Sequence, residues 1–515
     1  MSDAAARDGG LPAWLTPLPD AEQQRATDAW AIGERGIASL ELMERAGAGL
    51  ADAIGARVPE GRVVVVVGKG NNGGDGLVVA RLLREAGREV DVLMLAPGEE
   101  LGGDARVNFD RLPWPGARPF EPEALNGAAA VIDAILGTGF SGEPRDPAKA
   151  AIAAINEVAG DAVVIACDVP SGVDATSGEI AGDAVRAAAT VTFHAGKPGL
   201  WINPGKAHAG HVTVIDIGIP EGAPVAPSVG LIDASVLDGV PQRGQDSTKF
   251  AAGALMVCGG STGLTGAPCM AAEAAMRAGA GYVTALVPAS LNLVVEQRLL
   301  EVMSIPLPDK EGTLTQPALE VALERVQRAD ALVLGPGLGR KPGTYKLARK
   351  LAAAVEIPLL LDADGLNAHE GRLQALAERA AATVLTPHAG ELARLLESDS
   401  AEIGAHRLRC VRDAAARSEA VVLLKGDDTI VASPDGRAAV SRGATPVLAT
   451  AGTGDVLSGV IGAFLSKGMD PFHAACAGVF LHARAGQLAE RTIGTEGVIA
   501  SDVIALLPRA RAGDA

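Results

Sequence analysis

The chain has 515 residues, 48% hydrophobic, 21% charged and only 3% aromatic, the balance of a globular protein with room for roughly two to four domains. Its 62 acidic against 45 basic residues give a net charge of −17, which argues against non-specific nucleic-acid binding, since that needs a basic surface. The five cysteines, Cys167, Cys258, Cys269, Cys410 and Cys476, are scattered with no CxxC pair, which argues against a disulfide framework or a zinc site.

Residues 1–20 lack the basic start and apolar run of a signal peptide, and no apolar stretch reaches the length of a membrane span. A cytoplasmic protein without membrane or nucleic-acid partners is expected. Residues 21–57 carry Ile32, Ile37, Leu40, Leu42, Met43 and Leu50 near helical spacing. The period then changes. The apolar runs at 62–68, 89–95, 129–136, 162–169, 189–193 and 211–218 read as buried strands, with helical stretches such as 77–87 and 147–160 between several of them. Strands without polar alternation, separated by helices, indicate a largely parallel sheet covered on both faces. Pro- and Gly-rich residues mark a linker, placed at 221–232, between domains spanning 20–220 and 233–510.

Beyond the linker the alternation restarts with ALMVC (254–258) and the helix PCMAAEAAMRAG (268–279). YVTALVP, DALVLGPGLG, IPLLLDADGLN, TVLTPHAGE and AVVLLKG supply further strands or strand ends, and 427–443 reads as a hairpin around SPDG. Both halves are therefore α/β. Their apolar helices favour self-association into a homo-oligomer.

Two glycine-rich turns carry acids. The first, GKGNNGGDG, contains Gly68-x-Gly70-x-x-Gly73, a weak dinucleotide fingerprint that a tight turn with positive φ also explains. Asn71, Asn72 and Asp75 favour a functional reading, because they bring oxygens to a helix entrance whose N–H groups attract anions. Asp133 precedes the glycine-rich 137–143 loop, and Asp168, Ser171 and Asp174 follow another strand. Ligands of open α/β sheets collect beyond the carboxyl ends of strands, so these loops converge on one crevice.

LELMERAG (40–47), GKGNNGGDGLVVARLL, DAILGTGFSGEPR and CDVPSGVDATSG together resemble the NAD(P)H-hydrate epimerase domain. The resemblance implies a Rossmann-like three-layer sandwich that interconverts the R and S forms of hydrated NADH and NADPH, coenzymes carrying a hydroxyl on the reduced ring. It assigns the hydrated dinucleotide to Asn71, Asn72, Gly73, Gly74 and Asp75, to Gly137, Thr138, Gly139, Phe140, Ser141, Gly142 and Glu143, and to Asp168. A potassium ion is assigned to Asn72, Asp133 and Ser171. Asp168 is the candidate for proton transfer or for stabilising the cation through which the carbinol centre inverts.

The second turn, ATAGTGD (449–455), opens an apolar helical segment. Its glycines let N–H groups face a phosphate. A carboxylate there acts either as a general base on an attacking hydroxyl or as a simple complement to the helix dipole. AVVLLKGDDTIV, the GPGLG loop (335–339), LLLDADGLN, TPHAGELARLL and ATAGTGDVLSGVIGAFLSKG occur in the chain, and together they resemble the ribokinase-like fold and, within it, the nucleotide-dependent NAD(P)H-hydrate dehydratase. TGAPCMAAEAAMRAGAGYVT (265–284) fits the same family. This implies a ribokinase-like α/β domain that phosphorylates the hydrate's hydroxyl and then eliminates phosphate. Lys425, Gly426, Asp427, Asp428 and Thr429 would contact the nucleotide, Gly452, Thr453 and Gly454 would cradle the anion, and Asp455 would activate the hydroxyl. Gly253, Gly337 and His388 would line the hydrate site.

Magnesium is expected on the phosphates, with ADP the expected donor and ATP the alternative. Glu391 is either part of the magnesium water network or a surface helix acid, and Asp362 and Asp364 could cap the turn at Gly365. His369, His406 and His473 fall in helical or polar-turn contexts and are weaker ligand candidates than His388. Two departures from the family pattern are KFAAG (249–253), which keeps only Lys249 and Gly253, and Ala389 in place of a second proline. The competing reading is a small-alcohol kinase, acting on a thiazole or sugar, fused to a non-catalytic N-terminal module.

Overall fold

The computed structural model describes residues 10–113, 116–244, 248–249 and 251–513. Contacts divide the chain into two compact units, one built on Pro17–Gly230 and the other on Pro12–Thr16 together with Leu231 onward. Phe250, inside the 249–253 departure, lies outside the described residues.

In the first unit, the run of valines forms the strand Val63–Val67, buried throughout. Its side chains alternate between two cores, as the period of a strand requires. Val63, Val65 and Val67 enter a cluster with Trp30, Leu50, Ile54 and Leu77, whereas Val64 and Val66 enter one with Ile152 and Ile155. That division is the three-layer sandwich in miniature. The sheet is parallel, in the order Ala117–Pro119, Val90–Met94, Val63–Val67, Ala130–Ala134, Val163–Cys167, Ala189–Phe193, His211–Ile215. The chain leaves Val63–Val67 in one direction and later returns to its other side, so a topological switch point lies between this strand and Ala130–Ala134. Crevices open at such points.

The amphipathic 21–57 stretch is two helices, Ala21–Gly33 and Ser39–Arg57, not one. Gly36, at φ 70°, breaks the run. The 221–232 stretch is not all linker either, because it ends in the buried strand Val229–Ile232.

In the second unit the parallel strands Val421–Leu424, Thr383–Leu385, Leu359–Leu361, Ala331–Leu334, Ala254–Cys258, Tyr282–Pro288 and Met303–Leu307 lie side by side in that order. The SPDG hairpin, Ile430–Ala432 with Ala438–Val440, continues the sheet antiparallel, and Val229–Ile232 and Leu15–Pro17 complete that edge. Strand order reverses between Ala254–Cys258 and Ala331–Leu334, a second switch point.

The helix Thr453–Ser466 lies over the middle of this sheet. A Cβ on Gly462 would stand 2.5 Å from Val333 Cγ2, and one on Gly459 would stand 2.0 Å from the Ala271 carbonyl oxygen. The helix runs against the strands, since Ser466 lies beside Gly253 at their amino ends and Ser458 hydrogen bonds Asp362 at their carboxyl ends. Its head, Gly452–Asp455, is thereby carried to the crevice. No helix among the described residues is long and apolar enough to cross a membrane.

Candidate functional site

At the first switch point a cavity of about 730 Å³ is lined by Asn71, Asn72, Asp75, Gly137, Thr138, Gly139, Phe140 and Asp168, together with Asp28, Met43 and Lys197. Three loops therefore meet as the sequence implied. The helix Asn71–Glu85 starts at the cavity wall and brings its unpaired N–H groups with it. Gly68, Gly73, Gly74 and Gly76 serve close approach, not turn geometry, for none has positive φ and an added Cβ on each would collide, whereas one on Gly70 would meet open space. A Cβ on Gly68 would stand 2.1 Å from the Ile135 carbonyl oxygen, and one on Gly73 would stand 2.0 Å from that of Gly68. Ser141, Gly142 and Glu143 do not line the cavity; Glu143 is exposed and pairs with Lys149 at 3.0 Å. Asp174 is taken up by its own turn, accepting from the backbone N–H groups of Thr176 and Ser177 at 2.9 and 3.0 Å.

Asp168 sits in the left-handed region at φ 65°, a conformation that costs a non-glycine residue about 1–3 kcal/mol and clusters at functional sites. Its Oδ1 accepts from Lys197 Nζ at 2.8 Å and Thr192 Oγ1 at 2.9 Å, and its Oδ2 accepts from the Thr138 backbone N–H at 3.1 Å and the Thr138 hydroxyl. Burial opposes its charge, but Lys197 and these hydrogen bonds outweigh it and hold the carboxyl below its ordinary range. Burial pushes Asp75 the other way, well above that range, helped by the nearby charges of Asp168 and Asp28.

Lys197, 1% exposed, escaped sequence reasoning because lysines are rarely buried unless paired. Its position just beyond a strand's carboxyl end was the available signal. Behind the cavity, Asp133 accepts from Ser171 Oγ at 2.6 Å and from the Ser171 backbone N–H at 2.8 Å, and burial raises it to about 6. The Asn72 amide, 9% exposed, has no hydrogen-bond partner among the described residues.

In the second unit, Asp455 stands in the first turn of Thr453–Ser466, just after Gly452 at φ 92°. Burial raises it to about 7, with Asp362 adding and Lys425 opposing. Lys425 Nζ binds Asp362 Oδ1 at 2.8 Å, and Glu391 and Asp455 also favour its charge. Asp362 further accepts from Thr386 Oγ1 at 2.9 Å and Ser458 Oγ at 2.7 Å. It is thus the lysine's anchor; only its backbone carbonyl serves the Gly365 turn. Asp364 fastens the GPGLG loop through the Gly339 N–H at 2.9 Å and Arg340 Nε at 3.2 Å. That loop meets the end of Ala254–Cys258, where Ser261 Oγ donates to the Gly337 carbonyl at 2.9 Å.

His388 and Glu391 form a reciprocal cap on the helix Ala389–Leu396. Glu391 is 6% exposed, which removes the surface-acid reading, and its Oε2 accepts the His388 N–H at 3.0 Å. Gly426 and Asp427 are exposed at the end of Val421–Leu424, and Thr429 Oγ1 closes a local turn onto the Gly426 carbonyl at 2.7 Å. Asp428 is buried against Arg407 at 2.8 Å. Thr453 turns its hydroxyl back to the carbonyls of Leu448 and Thr450 at 2.7 and 2.8 Å, leaving the cradle to backbone N–H groups.

Gly253 is not brought to this site. It precedes Ala254–Cys258, with its Cα side against Ser466 at the opposite end of the helix from Asp455. Sequence reasoning also missed His482, on a neighbouring helix, which burial, ahead of the Lys425 charge, lowers to about 4.

A family model described as the YjeF-related protein N-terminus matches residues 39–199, and one described as NAD(P)H-hydrate dehydratase matches residues 255–509. A protein from Salinibacter ruber, named bifunctional NAD(P)H-hydrate repair enzyme, is 39% identical, covering 96% of this chain and 96% of its own length. One of the same name from Moorella thermoacetica is 38% identical over 95% of this chain and 96% of its own. A crystal structure of an ADP/ATP-dependent NAD(P)H-hydrate dehydratase from Bacillus subtilis, co-crystallised with ATP and Mg²⁺, superposes with a TM-score of 0.46 at 26% identity, covering 54% of this chain and 96% of that one.

Proposed function

The chain belongs to the bifunctional NAD(P)H-hydrate repair enzyme family, and on that premise we propose that its two crevices restore hydrated NADH and NADPH in two steps. The first interconverts the R and S hydrates. The second transfers a phosphoryl group from a nucleotide, ADP for preference, to the S hydrate's hydroxyl and expels phosphate. Phosphate is a far better leaving group than hydroxide, which gives a dehydratase a reason to use kinase-like parts.

One observation carries the reading. At the head of Thr453–Ser466 a glycine-lined anion cradle stands beside a carboxyl held near neutrality at about 7. A general base works best with its pKa near the operating pH. Asp455 takes the proton of the attacking hydroxyl, and the backbone N–H groups of Gly452 and Gly454 receive the phosphoryl oxygens, that of Thr453 being held by the Thr450 carbonyl at 3.3 Å. Lys425, anchored by Asp362, supplies positive charge beside them.

Magnesium would arrive on the donor's phosphates and keep its waters. Glu391 Oε1, which faces His388 Nε2 at 3.6 Å, would join that water network together with the histidine. In the first crevice potassium would be held by Asn72, Asp133 and Ser171. The buried, unpartnered Asn72 amide and the neighbouring oxygens of Asp133 and Ser171 suit a hard cation. Such an ion would offset dinucleotide phosphate charge.

The test supplies mixed R and S NADH hydrate with ADP and magnesium and follows reduced nicotinamide by absorbance. Complete recovery, with AMP and phosphate formed and no phosphorylated product accumulating, is expected. A net phosphorylated alcohol would favour the small-alcohol kinase, and recovery limited to the S portion would leave the first crevice without its assigned role. Replacing ADP by ATP identifies the preferred donor.

A further inference from the structure

A carboxylate offers about four lone-pair positions, and all four of Asp168's are filled: Lys197 and Thr192 on one oxygen, and the Thr138 N–H and hydroxyl on the other. An anion so enclosed is well placed to face a cation and poorly placed to carry protons. Epimerisation nevertheless needs a proton, because hydroxide does not leave a carbinol unaided. Another group lining the same cavity has to supply it.

We propose that Asp75 is the proton carrier of the epimerase site, while Asp168, clamped by Lys197, serves as the fixed anion. The assignment rests on the epimerase reading given above. Asp75 lines the cavity one turn into Asn71–Glu85, and no hydrogen bond from the described residues engages its carboxyl. The charged groups that act on it come from separate elements: Asp28 from Ala21–Gly33, Asp168 from the loop after Val163–Cys167, and Lys197 from the loop after Ala189–Phe193. Asp28 is the weaker candidate, since Gln24 Nε2 already donates to it at 2.9 Å.

The step balances. The Asp75 O–H proton passes to the hydroxyl of the hydrate, the C–O bond breaks, and water departs with its electron pair. The ring nitrogen's lone pair closes a C=N bond, and the resulting cation lies beside the Asp168 anion. Water then adds to the other face of this planar cation and returns a proton to Asp75, giving the opposite hand and the starting enzyme.

The pH signs follow. Asp75 must be protonated, and burial with two neighbouring acids holds it well above the carboxylate range, so activity falls as pH rises through its pKa. Asp168 must be ionised and is held low, so activity falls as pH drops through that value.

The experiment measures interconversion of R and S NADH hydrate against pH in the full chain, for wild type, Asp75→Asn, Asp75→Glu and Lys197→Met. Melting curves and recovery of S hydrate by the second crevice report on folding. Asp75→Asn should lower kcat about 100-fold or more with little change in KM, and the alkaline limb should vanish. Asp75→Glu should restore part of the rate and shift that limb. Lys197→Met should move the acidic limb to higher pH. Should Asp75→Asn fail to melt cooperatively, the limb of Asp75→Glu decides: a shift supports the assignment and an unmoved limb overturns it. A well-folded Asp75→Asn protein with wild-type kcat and alkaline limb, or with only a raised KM, also overturns it. A wild type that never interconverts the hydrates would instead remove the epimerase reading itself.

Discussion

A carboxylate at a helix head that attracts anions works against its own site, and Asp455 shows how the conflict is met. Burial raises its pKa to about 7, so the carboxyl is largely uncharged below that pH, and the ionised form present near and above it is the one that takes the proton. The arrangement has a stability consequence with a definite sign. The unfolded pKa is about 3.9, so the folded state binds more protons between that value and about 7, and stability falls as pH rises through this window. Asn has no charge to desolvate. Asp455→Asn should therefore melt at a higher temperature than wild type at pH 8, with the difference gone below about pH 4, while dehydration drops by about 10²–10⁴-fold. Equal melting temperatures at pH 8 would show that the folded site does not disfavour the charge. Asp455 and Asp168 were legible in the sequence because an acid among glycines after an apolar run has few structural uses. Lys197 and His482 were not: the burial of each comes from the packed fold, and only the place of Lys197 just beyond a strand's carboxyl end hinted at it.

Helices and strands were legible where one period ran long enough. The runs of Val, Leu and Ile around 63–67, 130–134 and 359–361 became buried strands, and SPDG became the hairpin turn, with Ser433 N–H donating to the Arg437 carbonyl at 2.9 Å. Short edges were hidden. Ala117–Pro119 has three residues, and Met303–Leu307 contains Pro306, which sequence reasoning takes as evidence against a strand. The role of internal helix glycines was hidden too, because a helix formula treats them only as weak points. In Thr453–Ser466 they set the depth at which the helix lies on its neighbours, and hence the position of Asp455. Gly459→Ala tests this at the tightest contact, the Ala271 carbonyl at 2.0 Å from an added Cβ. Overpacking of this kind costs about 1–3 kcal/mol. The denaturant midpoint of the second unit should fall accordingly and dehydration should weaken, with interconversion of the R and S hydrates unchanged. An unmoved midpoint would show that the contact gives way without loss.

Each unit places its site at the switch point of its own parallel sheet, with its own acids: Asp75 and Asp168 in one, Asp362 and Asp455 in the other. No residue of one site is required by the chemistry proposed for the other, so the hydrate can pass between them through solvent. That independence is testable by complementation. Asp168→Asn should recover only the S portion of a mixed hydrate, because the R form is no longer inverted. Asp455→Asn should recover almost none, because nothing is dehydrated. Mixed together, the two variants should recover the whole, at a rate that rises with the concentration of the Asp455→Asn protein, which now supplies only S hydrate. If the mixture stopped at the S portion although Asp455→Asn alone interconverted the hydrates, the released S form would not be reaching the second crevice. Transfer would then have to occur within one chain, and fusion of the two units would be a requirement of the reaction.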